Sequence, residues 1–197
     1  MGLMRALIGQ CKYPSGPLGR MFLHAMNMAH GDLVDRSLAG IALPAGATLL
    51  DVGCGGGRAI RTLRKRFEPS VVYGVDPSDT AIRAAAKQNR AAARAGQAIF
   101  QKAVVEALPF EDRSFDLVTA FQTHYFWPDL RCGFAEIARV LGPGGQFLLA
   151  AETYKIHYHM SEYKAPSELE SLARAVGFAS ASALVAGKHL RLLCVRE

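Results

Sequence analysis

No stretch of this 197-residue chain approaches the ~20 consecutive apolar residues of a membrane span, although half of its residues are hydrophobic. That excludes a helical membrane protein and predicts a soluble one. The apolar stretch from Leu3 to Ile8 is broken by Arg5 and is too short for a signal-peptide core, and Ala6 lacks the hydroxyl of a myristoylation site. A cytoplasmic protein without membrane insertion is therefore expected. Cysteine is scarce and unpaired in pattern: Cys11, Cys54, Cys132 and Cys194 form no C-x-x-C, which excludes a zinc knuckle or a redox motif and predicts reduced thiols. Acids are also in deficit, 17 against 23 lysines and arginines, giving a net charge of +6. The excess gathers in Arg58, Arg61, Arg64, Lys65 and Arg66, then Arg83, Lys87, Arg90 and Arg94. No aromatic residues interleave with these cations to stack on bases, so they are read as solvated helix faces rather than a nucleic-acid surface.

The chain does contain apolar, β-branched runs alternating with helical patterns, the signature of an α/β fold with a mostly parallel sheet covered by helices. Seven strands are predicted: Thr48–Val52, Val71–Val75, Ala98–Lys102, Phe115–Phe121, Gly145–Ala151, Ala179–Val185 and Leu190–Val195. The last two flank Ala186-Gly187-Lys188 and read as an antiparallel pair. Ser78 is placed to cap a helix running to about Ala95, and Asp129 to begin one ending near Leu141, before a Gly142-Pro143-Gly144-Gly145 turn. Ser167 with Glu170 reads as a capping box, and Gly177 as a left-handed stop after Val176. One domain over 1–197 is expected, enough to bury roughly 70% of its unfolded surface. Residues 1–17 read as a mobile lead-in, 18–43 as one or two cover helices and 44–197 as the core.

The most informative segment is Ala47-Thr48-Leu49-Leu50-Asp51-Val52-Gly53-Cys54-Gly55-Gly56-Gly57, an apolar strand ending in an acid, then a glycine-rich turn. Such a turn lets ligand atoms approach the backbone where a Cβ would intrude. A dinucleotide fingerprint would need its third glycine where Arg58 stands. What remains is D-x-G-x-G-x-G, and a carboxylate at the strand end suits a cofactor bearing a positive group there and no phosphate.

From Leu43 onward the chain resembles the class I S-adenosylmethionine-dependent methyltransferases, whose fold is a Rossmann-like doubly wound sheet with an antiparallel last strand. The resemblance implies S-adenosyl-L-methionine as cofactor, with Asp51 helping to hold its amino group and Gly53, Cys54, Gly55 and Gly57 lining its methionine half. Asp76, ending the second strand, is then placed to accept from both ribose hydroxyls, with Pro77 against the adenine. Val104 stands where many members carry an acid for the adenine amino group, so adenine recognition falls to backbone near Val104 and Val105, with Glu106 as a possible helper. Arg139-Val140-Leu141-Gly142-Pro143-Gly144-Gly145 matches the family's turn into the fifth strand. The run Gly19-Arg20-Met21-Phe22-Leu23-His24-Ala25-Met26-Asn27-Met28-Ala29-His30 is similar to a segment of small bacterial members. It implies a lid helix presenting Asn27 and His30, and reads equally as an amphipathic cover helix.

The fourth strand runs into Phe121-Gln122-Thr123-His124-Tyr125-Phe126-Trp127-Pro128, so Phe121 and Gln122 are expected beside the cofactor and the following residues on the reaction side. Neither an Asn/Asp-Pro-Pro-aromatic motif nor a Pro-Cys pair for nucleobase methylation is present. Methyl transfer from a sulfonium is an in-line displacement that rests mainly on alignment, and a base is needed only for a protonated acceptor. His124 is the candidate base and Tyr125 the candidate orienting group, with a packed aromatic run as the alternative. Phe126 and Trp127 read as packing. Glu152 and Tyr154, ending the fifth strand, face the same side, and His157 and His159 continue as a loop. No metal is expected, since the two histidines would lack a third ligand. The expected acceptor is a small molecule, nucleic acid being disfavoured. An RNA or protein methyltransferase and a non-catalytic cofactor-binding module are the rivals. Acceptor atom and oligomeric state are not legible.

Overall fold

The computed structural model describes residues 31–197. Its sheet has seven strands in the order β3-β2-β1-β4-β5-β7-β6. They are β1 (Thr48–Val52), β2 (Val71–Asp76), β3 (Ala98–Lys102), β4 (Phe115–Phe121), β5 (Leu141–Glu152), β6 (Phe178–Ala186) and β7 (His189–Arg196). β1 to β5 run parallel, and β7 lies antiparallel between β5 and β6. Around them lie α1 (Gly31–Ser37), α2 (Arg58–Phe67), α3 (Asp79–Gln88), α4 (Arg90–Arg94), α5 (Leu130–Val140), α6 (Thr153–His159) and α7 (Pro166–Ala175), with a 3-10 turn at His124–Phe126.

Successive strand residues point to opposite faces, so a central strand covered on both sides must be apolar throughout. Leu49 and Leu50 are both fully buried on this account. Leu49 packs with Leu117, Leu148, Ile60, Leu63 and Ala85 under α1 to α4. Leu50 packs with Val118, Leu149, Phe134, Ile137 and Leu169 under α5 and α7. The order reverses between β1 and β4, and the crevice outside the carboxyl ends of strands at such a switch point is where ligands bind in open α/β sheets.

Several local expectations change. The helix capped by Ser78, whose Oγ accepts from Ala81 N at 3.3 Å, does not run unbroken to Ala95. Asn89 divides it: buried, its Nδ2 donates to Ala85 O and to Gly57 O at 3.0 and 2.9 Å, and α4 starts afresh at Arg90. The Ser167–Glu170 capping box is not formed. α7 begins with Pro166, the residue best suited to a first helical position, and Glu168 reaches back to accept from Ala165 N at 2.8 Å. β5 starts at Leu141 rather than Gly145, its register with β4 slipping across the glycine-rich stretch. The segment after β5, expected as loop, contains helix α6. Of the expected cover helices only α1 falls among the described residues, and it ends at Ser37 rather than near Leu43. Asn27 and His30 lie outside the described residues.

The outer edge of β6 is dressed by side chains of α7. Glu170 accepts from Ala183 N at 2.7 Å, and Arg174 donates to Ala181 O at 2.9 Å.

Candidate active site

The turn after β1 is folded by its own backbone. Gly53 N and Cys54 N both donate to Val75 O, at 2.8 and 2.9 Å, pinning the turn to the end of β2. Gly53 has φ 73°, and a Cβ there would lie 2.6 Å from Thr123 Oγ1. That hydroxyl cannot simply swing away, because it accepts from Trp127 Nε1 at 2.8 Å. At Gly57, φ 79°, a Cβ would meet the Cα of Ala85 at 2.9 Å. Glycine is thus required at both ends of the turn by neighbours in β4's trailing loop and in α3. Cys54 is buried, and a Cβ on Gly74 would lie 3.1 Å from its sulfur. Burial, with the charges of Asp76 and Asp51, raises its thiol pKa far above the usual range, so it is an inert wall.

Two acids flank this turn. Asp51 is 2% exposed and accepts from Thr119 Oγ1 at 2.7 Å, its register partner across β4. Burial pushes its carboxyl up to about 7, against the lowering effect of that hydroxyl, and Asp76 adds repulsion. Asp76 accepts from Gly55 N at 3.0 Å and Ser78 N at 2.9 Å. Burial outweighs both bonds and holds it at about 6. Neither acid enters an ion pair among the described residues. A buried carboxylate lacking a cation is costly, so this pocket suits a cationic ligand.

Beyond Asp76, Pro77 is half-buried and Ala103 N donates to Asp76 O at 3.3 Å, which brings the loop after β3 alongside. Val104 is 45% exposed and Val105 is buried. The Glu106 carboxylate accepts from Asp129 N at 3.3 Å, the residue whose side chain caps α5 through Cys132 N. Glu106 therefore ties two loops together.

At the ends of β4 and β5 the polar groups serve one another. Phe121 is half-buried, and Gln122, with φ 60°, points its amide into the protein. Its Nε2 donates to Glu152 Oε2 at 2.9 Å, while its Oε1 accepts from Glu152 N at 3.0 Å and from the Tyr125 hydroxyl at 3.3 Å. Glu152 is also held by Lys155 at 2.9 Å and Lys188 at 3.1 Å. Burial acts to raise its pKa, but hydrogen bonds and charge from the two lysines prevail and keep it at about 2. Gln122 was expected beside the cofactor; its amide is engaged by Glu152, which leaves its backbone for that role. This network was invisible in the sequence apart from one hint, a lysine three residues after Glu152.

His124 stands apart from it. The ring is 1% exposed and both nitrogens lack a hydrogen-bond partner. Burial lowers its pKa to about 3, so it is neutral at pH 7 and ill-suited to the base role expected of it. Tyr125, with its hydroxyl engaged by Gln122, is stacked against His159 of α6, ring centres 5.1 Å apart and planes 11° from parallel. His159 also meets Phe126 edge-on. Trp127 packs against Phe134, in keeping with a packing role. His157 lies 2.8 Å from Thr153 O, and among the described residues no three His, Cys, Asp or Glu side chains are grouped to hold a metal.

Residues 50–149 match the family described as a methyltransferase domain. The phthiotriol/phenolphthiotriol dimycocerosates methyltransferase of Mycobacterium tuberculosis is 33% identical over 121 residues, 61% of this chain and 43% of that protein. The fatty-acid O-methyltransferase of Mycolicibacterium smegmatis is 32% identical over 103 residues, 52% of this chain and 36% of that protein. The chain thus spans less than half the length of these curated relatives. Among solved structures, a SAM-dependent methyltransferase from Aquifex aeolicus superposes with a TM-score of 0.74 at 17% identity, over 90% of this chain and 98% of that one. That likeness establishes the fold.

Proposed function

The chain belongs to the class I S-adenosylmethionine-dependent methyltransferases, and from that premise we propose that it methylates a small-molecule acceptor, with residues 44–197 as its catalytic core. The observation that carries the reading is the pair of buried acids, Asp51 and Asp76, without a cation on either side of the glycine turn. The family's cofactor fits this pocket: it brings an ammonium to Asp51, ribose hydroxyls to Asp76 and a methionine half to a turn with no room for side chains. When bound, S-adenosylmethionine supplies an electrophilic methyl group for in-line displacement.

In this reading Asp51, fixed by Thr119, holds the ammonium. Asp76 uses its remaining lone pairs for the ribose hydroxyls while its bonds to Gly55 N and Ser78 N keep the turn closed. Gly53, Cys54, Gly55 and Gly57 form the wall along the methionine half. Pro77, Val104 and Val105 enclose the adenine, with Glu106 at its border, and Phe121 separates the cofactor from the acceptor side. His124 and Tyr125 back the wall of the acceptor side; buried and neutral, His124 shapes that wall by packing and is not placed to remove the acceptor's proton. Acceptors that are already nucleophilic at neutral pH are therefore favoured, since alignment alone can supply up to ~7–11 kcal/mol of the barrier.

The relatives named above act on a fatty acid and on phthiotriol dimycocerosates, which supports a small and largely apolar acceptor. Among the described residues the cysteines Cys54, Cys132 and Cys194 are free thiols and no helix is long and apolar enough to cross a membrane, in keeping with a reducing compartment such as the cytoplasm. The test is calorimetry with S-adenosylmethionine and S-adenosylhomocysteine, followed by mass spectrometry of a metabolite extract incubated with methyl-labelled cofactor. Binding of NADH in place of either compound would overturn the assignment. Binding without any labelled product would leave a cofactor-binding module.

A further inference from the structure

Thr123 and Trp127 bracket the 3-10 turn His124–Phe126, and that turn brings their side chains together. Phe126 N donates to Thr123 O at 2.9 Å and Trp127 N to His124 O at 3.1 Å, which folds the chain back on itself. Trp127 Nε1 then reaches Thr123 Oγ1 at 2.8 Å. Each partner is seated on a glycine. A Cβ on Gly53, in the turn after β1, would lie 2.6 Å from Thr123 Oγ1, 2.8 Å from its Cβ and 3.0 Å from its Cγ2, so the threonine side chain lies flat on that glycine. A Cβ on Gly133, in α5, would lie 2.9 Å from Trp127 Cε3 and 3.1 Å from Val105 Cγ1, so the indole and the loop after β3 share the second seat. One buried hydroxyl thus stands where the glycine turn, the loop after β3, α5 and the end of β4 come together. His124 and Tyr125 lie inside the turn that its hydrogen bond closes.

We propose that Thr123 is a positioning residue: its hydroxyl fixes the acceptor wall to the glycine turn, so that a ligand seated on the turn is felt at Trp127. The inference rests on the methyltransferase reading above and adds to it a residue that touches neither cofactor nor acceptor. In that reading Gly53 lines the methionine half, Val105 encloses the adenine, and His124 and Tyr125 back the acceptor side. In-line transfer tolerates little misalignment between these parts. The hydrogen bond is what makes the arrangement directional. Packing against Phe134 holds the indole, but its one N–H sets the rotation of the ring by pointing at one oxygen. Valine in place of Thr123 keeps the shape laid on Gly53 and removes the acceptor, leaving a half-buried N–H unanswered. Serine keeps the acceptor and loses only a methyl group. The two substitutions therefore separate the bond from the packing.

Trp127 is the single tryptophan of the chain, so the protein's tryptophan emission reports on this contact. The experiment titrates the full chain with S-adenosylhomocysteine and follows that emission beside calorimetry. A change in emission that saturates together with the calorimetric isotherm is expected for the wild type and for Thr123→Ser. Thr123→Val should still bind, but more weakly by roughly three- to tenfold, the scale of one hydrogen bond, and its emission should no longer follow the ligand. Three results overturn the proposal: a Thr123→Val that loses unfolding stability but keeps wild-type affinity and response, as a purely structural threonine would; a wild-type emission that stays flat through a complete calorimetric titration; or a Thr123→Ser that behaves as Thr123→Val does. Should Thr123→Val fail to fold by circular dichroism, Trp127→Phe removes the same bond from the other side, and undiminished affinity there overturns the proposal equally. A wild-type chain that binds no S-adenosylhomocysteine in calorimetry would strike the functional reading itself, and the proposal with it.

Discussion

Asp51 and Asp76, at the ends of β1 and β2, have carboxyls pushed up to about 7 and about 6, whereas Glu152, at the end of β5, is held at about 2. All three are buried. The difference lies in who answers their charge. Glu152 has two lysines, a glutamine amide and a tyrosine hydroxyl from the protein itself. The other two have backbone amides and a threonine hydroxyl, enough to orient a carboxylate but not to neutralise it. One half of the crevice is finished by folding, and the other leaves its acids without an ion pair among the described residues. In a site of this kind, acids whose pKa is raised by burial mark the ligand, and an acid with a depressed pKa marks the scaffold.

The contrast has a signature in pH, and this is the largest effect expected. For Asp51 the folded value lies above its ordinary 3.8, so its contribution to stability is full below pH 3.8 and is lost as pH rises through about 7. That loss is of order 4 kcal/mol at ~1.4 kcal/mol per unit, and Asp76 adds to it over a window ending near 6. For Glu152 the folded value lies below its ordinary 4.5, so its contribution is present above 4.5 and lost as pH falls towards 2. Chemical unfolding of the ligand-free chain should therefore show stability rising from pH 2 to about 4.5 and the two acids pulling it down towards pH 7. A saturating ligand that brings an ammonium to Asp51 should flatten the second limb only. A second limb that S-adenosylhomocysteine leaves unchanged would erase the distinction between the two halves.

Asp76→Ala comes next. It removes the proposed ribose acceptor and the anchor of Gly55 N, and charge-assisted hydrogen bonds are worth about 1.5–3 kcal/mol each. Affinity for S-adenosylhomocysteine in calorimetry should drop by roughly a hundredfold, and the decline of unfolding stability over the window ending near pH 6 should shrink. Glu152→Gln should do the converse, lowering unfolding stability by roughly 2–3 kcal/mol by removing the buried carboxylate that Lys155 and Lys188 share and sparing cofactor affinity. If Glu152→Gln cost affinity as much as Asp76→Ala does, the acceptor half could not be called self-sufficient. The smallest effect is at Cys54: with its thiol pKa raised by burial, it should resist alkylation at pH 8 in the folded chain, as shown by peptide mass mapping against Cys132, which is partly exposed.

How far the sequence discloses this arrangement follows from the range over which each interaction acts. The glycine spacing and Asp76 were legible because backbone strain and strand ends are local properties, and the seven strands themselves followed from apolar periodicity. The Asp51–Thr119 bond was not legible, since those residues are 68 positions apart and meet only through the register of β1 on β4. Nor was Asn89, whose single amide decides both the break between α3 and α4 and the carbonyl of Gly57. His124 was legible as a position but not as a state. Its isolation comes from the way Gln122, Tyr125 and Glu152 satisfy one another and leave the imidazole out.

Sheets of this size must also survive each other's company at the concentrations reached during synthesis. An open edge strand is a template on which another chain can grow, and β6 is such an edge. Glu170 and Arg174 occupy its Ala183 N–H and Ala181 carbonyl from the adjacent helix, so an incoming strand finds those rungs taken. Two charged side chains outside the proposed site thus cover part of this edge. Replacing both would expose those two rungs to an incoming strand, an effect read as turbidity rather than as lost activity.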